Sequence, residues 1–272
     1  MVARNAKNAK GKIYVGIGGW VYEPWRGTFY PDDLPQKREL EFAAGQLTSI
    51  EVNGTYYGAQ KPASFQKWHD ETPDGFVFAL KGPRYATNRR VLAESGESIE
   101  RFFTGGVMLL KEKLGPICWQ FMATKKFDAD DFEAFLKLLP KKVEGRAIRH
   151  AVEVRHESFK VPEFVALARK HGVAIVVAGD SEFPQIGDVT APFVYARIMG
   201  SQEKHALGYA KKALDEWAGR AEAWRGGKAP TGIETVEKAK GDGESRDVFL
   251  YVISGHKTHN PAAAKALIER VE

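Results

Sequence analysis

Cysteine is almost absent from this chain: Cys118 stands alone among 272 residues. No disulfide can form within the chain, and a reducing cytosol is the expected setting. Long apolar runs are missing as well. No stretch approaches the ~20 residues that a bilayer span needs and no secretory segment opens the chain, so no membrane role is expected. A large charge of one sign is also lacking, since 40 Lys and Arg face 35 Asp and Glu for a formal net charge of +5. So small an excess favours loose contact with phosphates or nucleic acid without demanding it. Part of it sits in the opening MVARNAKNAKGK, and residues 1–12 are expected to form a disordered, solvated basic tail.

Common catalytic signatures are missing too. No H-E-x-x-H occurs, and Ser64, Ser98, Ser158, Ser181 and Ser254 all lack a G-x-S-x-G context, which argues against a serine hydrolase. The GIGGW run at 16–20 departs from the dinucleotide pattern G-x-G-x-x-G because Gly18 and Gly19 are adjacent. No acidic residue ends a second strand about 20 positions later. A nicotinamide or flavin site of the doubly wound kind is not expected.

The chain is rich in short apolar runs of strand length. They fall at 13–19, 48–53, 76–82, 116–121, 150–156, 173–180, 193–200 and 248–254, and each is continuous rather than alternating. Such runs suit strands buried on both faces of a parallel sheet. Helical patterns lie between them. FDADDFEAFLKLLP follows Asp128 as an N-cap, VPEFVALARKHG ends at Gly172 as a C-cap, and PAAAKALIERV carries Pro261 in its first turn behind Asn260 as a cap. Eight strands alternating with helices predict an α/β fold, a single (β/α)8 barrel over 13–272. The polar, Gly-rich segment 226–247 is expected to be a long loop or a partly disordered insertion before the last strand.

A barrel of this kind gathers its functional groups at the C-terminal strand ends. The first strand ends near Trp20 and Tyr22, and the second carries Glu51 and Asn53 ahead of Tyr56 and Tyr57. The third ends in Lys81, Arg84 and Tyr85, and the fourth in Gln120. The fifth presents Glu153, Arg155 and His156, the sixth stops at Asp180, and the seventh offers Arg197. The eighth runs into His256 and His259. Charges inside runs such as SIEVN and AVEVRH need partners, because an unpaired buried charge is expensive. They either pair with one another in a polar barrel layer or form a ligand site, and so many at one face favour the site. Cys118, inside ICWQF, reads as a small buried hydrophobe.

These residues also carry a resemblance. GIGGWVYEPWRGTFYP, EVNGTYYGAQKPASFQKW, FVFALKGPRYATN, LGPICWQF, AVEVRHESF and YARIMG resemble, in order, the signatures of the YecE-like family, domain of unknown function 72. The resemblance runs from about Ile13 to Glu272 and implies a TIM barrel. It implies no settled activity; some members are similar to sugar-phosphate-isomerase and endonuclease-IV-like barrels, which suggests a nucleic-acid role by analogy of fold alone. Two places depart from the family pattern. The last strand usually runs into Asn-Asn-Asp, where this chain has YVISGHKTHNPAAAKAL, and a histidine after the seventh strand is replaced by Met199.

Two functions remain open. The first is an enzyme acting on a phosphate- or sugar-bearing substrate. Glu51 or Glu153 would be its base and His156 its acid, with Lys81, Arg84, Arg155 and Arg197 neutralising an anion while Trp20, Tyr22, Tyr56 and Tyr85 stack on a ring. A divalent metal (Zn, Mn or Mg) would recruit Glu51, Glu153, His156, Asp180 and His256. The second is a non-catalytic nucleotide or nucleic-acid binder. Oligomeric state is left open.

Overall fold

A computed structural model describes residues 10–272. Most of the expected tail lies outside the described residues. Its last part is tied down: the Gly11 N–H donates to Ser245 Oγ at 2.7 Å and the Lys12 N–H to Asp247 Oδ1 at 2.9 Å.

The described chain is a (β/α)8 barrel. Its sheet strands are β1 (Ile13–Gly18), β2 (Ser49–Val52), β3 (Val77–Lys81), β4 (Leu114–Gln120), β5 (His150–Glu153), β6 (Ala174–Ile175), β7 (Val177–Gly179), β8 (Phe193–Ile198) and β9 (Asp247–Val252). All pairings in this sheet are parallel, in the order β6-β5-β4-β3-β2-β1-β9-β8-β7. The two ends of that order, β6 and β7, are halves of one run interrupted only at Val176, so this single broken strand closes the barrel. All eight predicted strands are present. A small antiparallel hairpin, Lys142–Val143 with Arg146–Ala147, was not anticipated.

Alternation along each strand sorts the side chains into two cores. Val15, Ile17, Ile50, Phe78, Leu80, Trp119, Val152, Ile198 and Leu250 point outward under the helices. Ala79, Cys118, Ala151, Val176, Tyr195 and Tyr251 fill the barrel interior. The small residues on β3 to β5 make room for the two tyrosines on β8 and β9. Gly16 belongs to the same fit, since a Cβ there would stand 2.0 Å from the Ser49 carbonyl oxygen. The GIGG run therefore serves close strand packing. Below, Tyr14 stacks on Phe249 at 4.9 Å, and Arg149 lies 4.8 Å over the same ring while bonding Asp247 at 2.8 Å.

The outer layer consists of α1 (Glu39–Ala44), α2 (Pro62–Asp70), α3 (Gly96–Thr104), α4 (Ala129–Leu138), α5 (Pro162–His171), α6 (Lys211–Arg225) and α7 (Asn260–Val271). Asp128 caps α4 by accepting the Asp131 N–H at 2.9 Å, and Gly172 ends α5 at φ +66°. Asn260 does not cap α7 as expected. Its amide donates to the Ser254 carbonyl at 3.0 Å and accepts from Ser201 Oγ at 2.6 Å, which stitches the loops after β8 and β9 together. No helix separates β7 from β8. The segment 226–247, expected as a loop or partly disordered, is a loop up to Arg246, pinned to that helix-free connection, and its last residue, Asp247, opens β9. Asp188 accepts the N–H groups of Val236 and Glu237 at 2.7 and 2.9 Å, and the Gly187 N–H donates to the Glu234 carbonyl at 2.7 Å.

His150 is buried beneath the helices at the start of β5. Its Nδ1 accepts the Trp119 indole N–H at 3.1 Å, so its Nε2–H is the donor to the Pro140 carbonyl at 2.9 Å. Both ring nitrogens are engaged in the neutral form, and burial holds the imidazole down from 6.5 to about 4. The unfolded chain takes that proton at a higher pH than the folded one. Stability is therefore present above pH 6.5 and is lost as pH falls towards 4, by about 2 kcal/mol between pH 7 and 5. Urea midpoints at the two pH values check this. The drop should shrink in His150→Gln, and an equal drop in the variant would assign it to other groups.

Candidate functional site

The topmost interior layer is charged. Arg197 on β8 reaches across the barrel and donates to two carboxylates, bonding Glu51 Oε1 on β2 at 2.9 Å and Glu153 Oε2 on β5. Glu51 and Glu153 are both fully buried, and Arg197 is nearly so. The remaining oxygens are also engaged. Tyr195 OH donates to Glu51 Oε2 at 2.7 Å, while Gln120 Nε2 and Arg155 Nε donate to Glu153 Oε1 at 2.8 and 2.6 Å. Gln120 Oε1 then accepts from Lys81 Nζ at 2.6 Å. Glu51, Lys81, Gln120, Glu153 and Arg197 each lie two positions beyond an inward-facing neighbour on their own strand, as Lys81 follows Ala79 and Arg197 follows Tyr195, so strand alternation aims these five at one layer.

Burial opposes charge on Glu153, but Arg197, Arg155, Lys81 and the Gln120 amide outweigh it and hold the carboxyl at about 2. A carboxylate held so acidic is a poor proton acceptor near neutral pH. Burial pushes the Tyr195 hydroxyl far up, with Glu51 beside it acting in the same direction, so it remains a donor. Burial followed by the Arg197 charge lowers the proton affinity of Lys81, against Glu51 and Glu153. The fully buried Cys118 thiol is pushed up chiefly by burial, which leaves it inert as expected.

Above this layer the rim is aromatic and cationic. The one-turn helix Gly54–Tyr57 is tied to the end of β3 by Thr55 Oγ1, which donates to the Lys81 carbonyl at 2.7 Å. That places the Tyr56 ring 4.2 Å from Lys81 Nζ. Arg84 lies between two exposed rings, 5.9 Å from Tyr57 and 5.5 Å from Tyr85. Arg155 stacks at 4.2 Å over Phe183. Asn53 packs against Gly18, where a Cβ would meet its amide nitrogen at 2.9 Å.

Other expected residues point elsewhere. Trp20 packs edge-on to Trp68 and Phe78 in the outer core, because Gly19 at φ +74° swings the chain off the strand. Tyr22 stacks with Trp25 beneath the Lys257 ammonium at 4.1 Å. His156 Nδ1 accepts the Ser158 N–H at 3.1 Å and so caps a short turn. Asp180 accepts the Trp217 indole N–H at 2.7 Å. His256 and His259 pack on one another at 4.5 Å. The metal donor set therefore does not assemble: among the described residues no three His, Cys, Asp or Glu are placed to hold an ion.

Tyr195 and Phe183 were not singled out from the sequence, and Gln120 was noted only as a strand end. Parity identifies two of them, since Gln120 and Tyr195 share the inward face of Cys118 and Arg197. Phe183, in an irregular loop, had no such signal. A cavity of about 360 Å³ opens on the β2–β3 side between Thr55, Phe65, Pro83, Tyr85 and Phe102, lined by none of the charged layer. A hollow of about 430 Å³ over Arg84, Tyr85, Asn88 and Arg89 adjoins it.

The family described as "Protein of unknown function DUF72" matches residues 14–272. UPF0759 protein YecE of Escherichia coli K12 is 27% identical over 150 residues, 54% of this chain and 50% of that protein. UPF0759 protein YunF of Bacillus subtilis is 25% identical over 192 residues, 67% of this chain and 64% of that protein. The match thus spans about half the length of YecE. A solved DUF72 family protein of Thermotoga maritima superposes with a TM-score of 0.72 at 21% identity, covering 95% of this chain and 98% of that one. At that identity the likeness shows the fold.

Replacing Arg197 by methionine would remove the cation that the two buried carboxylates share and leave Glu51 without an ion-pair partner among the described residues. Arg197→Met should lose about 3–5 kcal/mol at pH 7 in urea denaturation. The deficit should narrow on acidification, because Glu153 then lacks the Arg197 charge that holds its carboxyl down and takes up a proton more readily. A loss under about 1 kcal/mol at pH 7 would mean that the network does not hold the barrel mouth together.

Proposed function

The chain belongs to the DUF72 family, and on that premise we propose that its barrel mouth binds an anionic, phosphate- or sugar-bearing small molecule and acts on it as an enzyme. One observation carries this reading. Lys81, Arg155 and Arg197 bring three positive charges to the mouth against the two negative charges of Glu51 and Glu153, and the buried Lys81 ammonium bonds the neutral Gln120 rather than a carboxylate. A buried charge without a counter-charge is costly, and an anionic ligand compensates it. Among the described residues the buried Arg197 Nε–H also meets no acceptor.

Roles follow from position. Glu51 and Glu153, with every carboxylate oxygen engaged, orient the cations rather than move protons. Lys81, Arg155 and, at the rim, Arg84 hold the anion. Tyr56, Tyr85 and Asn53 flank its ring or hydroxyl groups. His156 and Asp180 secure a turn and helix α6 and stay outside the chemistry.

A second reading has its own support. Tyr57 and Tyr85 are 61% and 60% exposed with Arg84 between them, an arrangement suited to stacking bases beside a phosphate. Calorimetric titrations with inorganic phosphate, ribose 5-phosphate, adenosine monophosphate and a short single-stranded DNA separate the two. The enzyme reading expects the small phosphates to bind, Arg155→Gln to weaken them about 10- to 100-fold, and DNA to bind no tighter than the mononucleotide. Tighter DNA binding that falls steeply with salt would favour the nucleic-acid reading. Silence towards every anion sinks both.

A further inference from the structure

We propose that Lys81 is the nucleophile of the mouth, an amine that captures the carbonyl carbon of an anionic aldehyde or ketone as a Schiff base. This rests on the anionic-substrate reading above and names the reacting group of that substrate.

Among the described residues, Lys81 differs from the other buried lysine, Lys113. Lys113 donates to two backbone carbonyls, of His69 and Thr72, both at 2.6 Å, and ties a helix end to its neighbour. Lys81 Nζ has a single neutral acceptor, Gln120 Oε1, and among the described residues no carboxylate lies within salt-bridge reach of it. The Gln120 amide cannot flip without losing its bond to Glu153, so its carbonyl oxygen stays turned to Lys81. An N–H donates to that oxygen whether the nitrogen is charged or neutral, which leaves a lone pair available in the neutral form. Burial and the Arg197 guanidinium both favour that neutral form. These conditions raise the share of Lys81 present as the neutral amine, the nucleophilic form.

The step balances without redox chemistry. The Nζ lone pair forms a C–N bond as the carbonyl π pair moves to oxygen, and a proton passes from nitrogen to that oxygen to give a carbinolamine. The C–O bond then breaks, water leaves, and a C=N bond remains. Arg155 and Arg84 would hold the phosphate or carboxylate while the Tyr56 ring covers the imine.

Pyridoxal 5′-phosphate is a suitable probe, since it combines an aldehyde, a flat ring and a phosphate. The protein would be incubated with it at pH 7, reduced with sodium borohydride, whose hydride converts the imine to a secondary amine, and mapped by mass spectrometry. One adduct is expected, at Lys81, forming faster than at any exposed lysine, since a lowered pKa raises the free-amine fraction. Excess inorganic phosphate should suppress it, and Lys81→Arg, which keeps the charge, should abolish it. Adducts spread over surface lysines in proportion to exposure, or unchanged in Lys81→Arg, overturn the proposal. Reversible binding of the probe with no trapped Lys81 removes the nucleophile and keeps the anion reading. A Lys81 adduct that phosphate does not suppress keeps the nucleophile and removes the anion reading.

Discussion

The guanidinium of Arg197 is the constraint on which the mouth depends. It spans from β8 to carboxylates on β2 and β5, so one side chain links three strands that are far apart in sequence. Two carboxylates and an arginine at that depth are tolerable only because each bonds others: Tyr195 completes Glu51, and Gln120 with Arg155 completes Glu153. The geometry of Lys81 follows from this, since Gln120 is oriented by Glu153 and Lys81 is oriented by Gln120. Disturbing Arg197 would therefore reach the amine through two intermediates.

The barrel accommodates such a layer through an uneven interior. Small side chains on one half, Ala79, Cys118 and Ala151, face Tyr195 and Tyr251 on the other. The space they leave admits long polar chains that cross the barrel. Glycines at close approaches serve the same economy of space: a Cβ on Gly82 would lie 2.3 Å from the Trp119 ring, and one on Gly179 equally near Trp217. The tightly packed outer core thus fixes where the strand ends stand, and the polar layer inherits that precision.

The mouth is also asymmetric. Loops after β2 and β3 bring Tyr56, Tyr57, Arg84 and Tyr85 to one side, where the cavities open. Across the barrel, the Ser201–Asn260–Ser254 bonds bind the loops after β8 and β9 to each other, and His256 and His259 pack together there. Two segments that depart from the family pattern, Met199 and the His256–His259 stretch, fall on this closed side. The exposed aromatic and cationic side chains and the cavities thus lie on the β2–β3 side, away from both departures.

Sequence alone determined the barrel and most of the charged layer. Eight continuous apolar runs separated by helical spacing leave few architectures, and period-two alternation puts Glu51, Lys81, Glu153 and Arg197 at inward-facing strand ends without further information. Local signals were reliable where they depend on neighbours in sequence, as at Asp128 and Gly172. Tertiary structure decided what sequence distance conceals. Asn260 looked like a helix cap, yet its amide serves two loops. Trp20 looked like a rim aromatic, but a left-handed glycine turns it into the outer core. His156, expected as an acid, bonds Ser158, and Asp180, expected among metal ligands, bonds Trp217. Glu51 and Glu153, expected as candidate bases, both accept from Arg197. In each case the residue type was informative but its partner was not, because hydrogen-bond partners across a closed barrel are set by strand register and loop path, which no local pattern encodes.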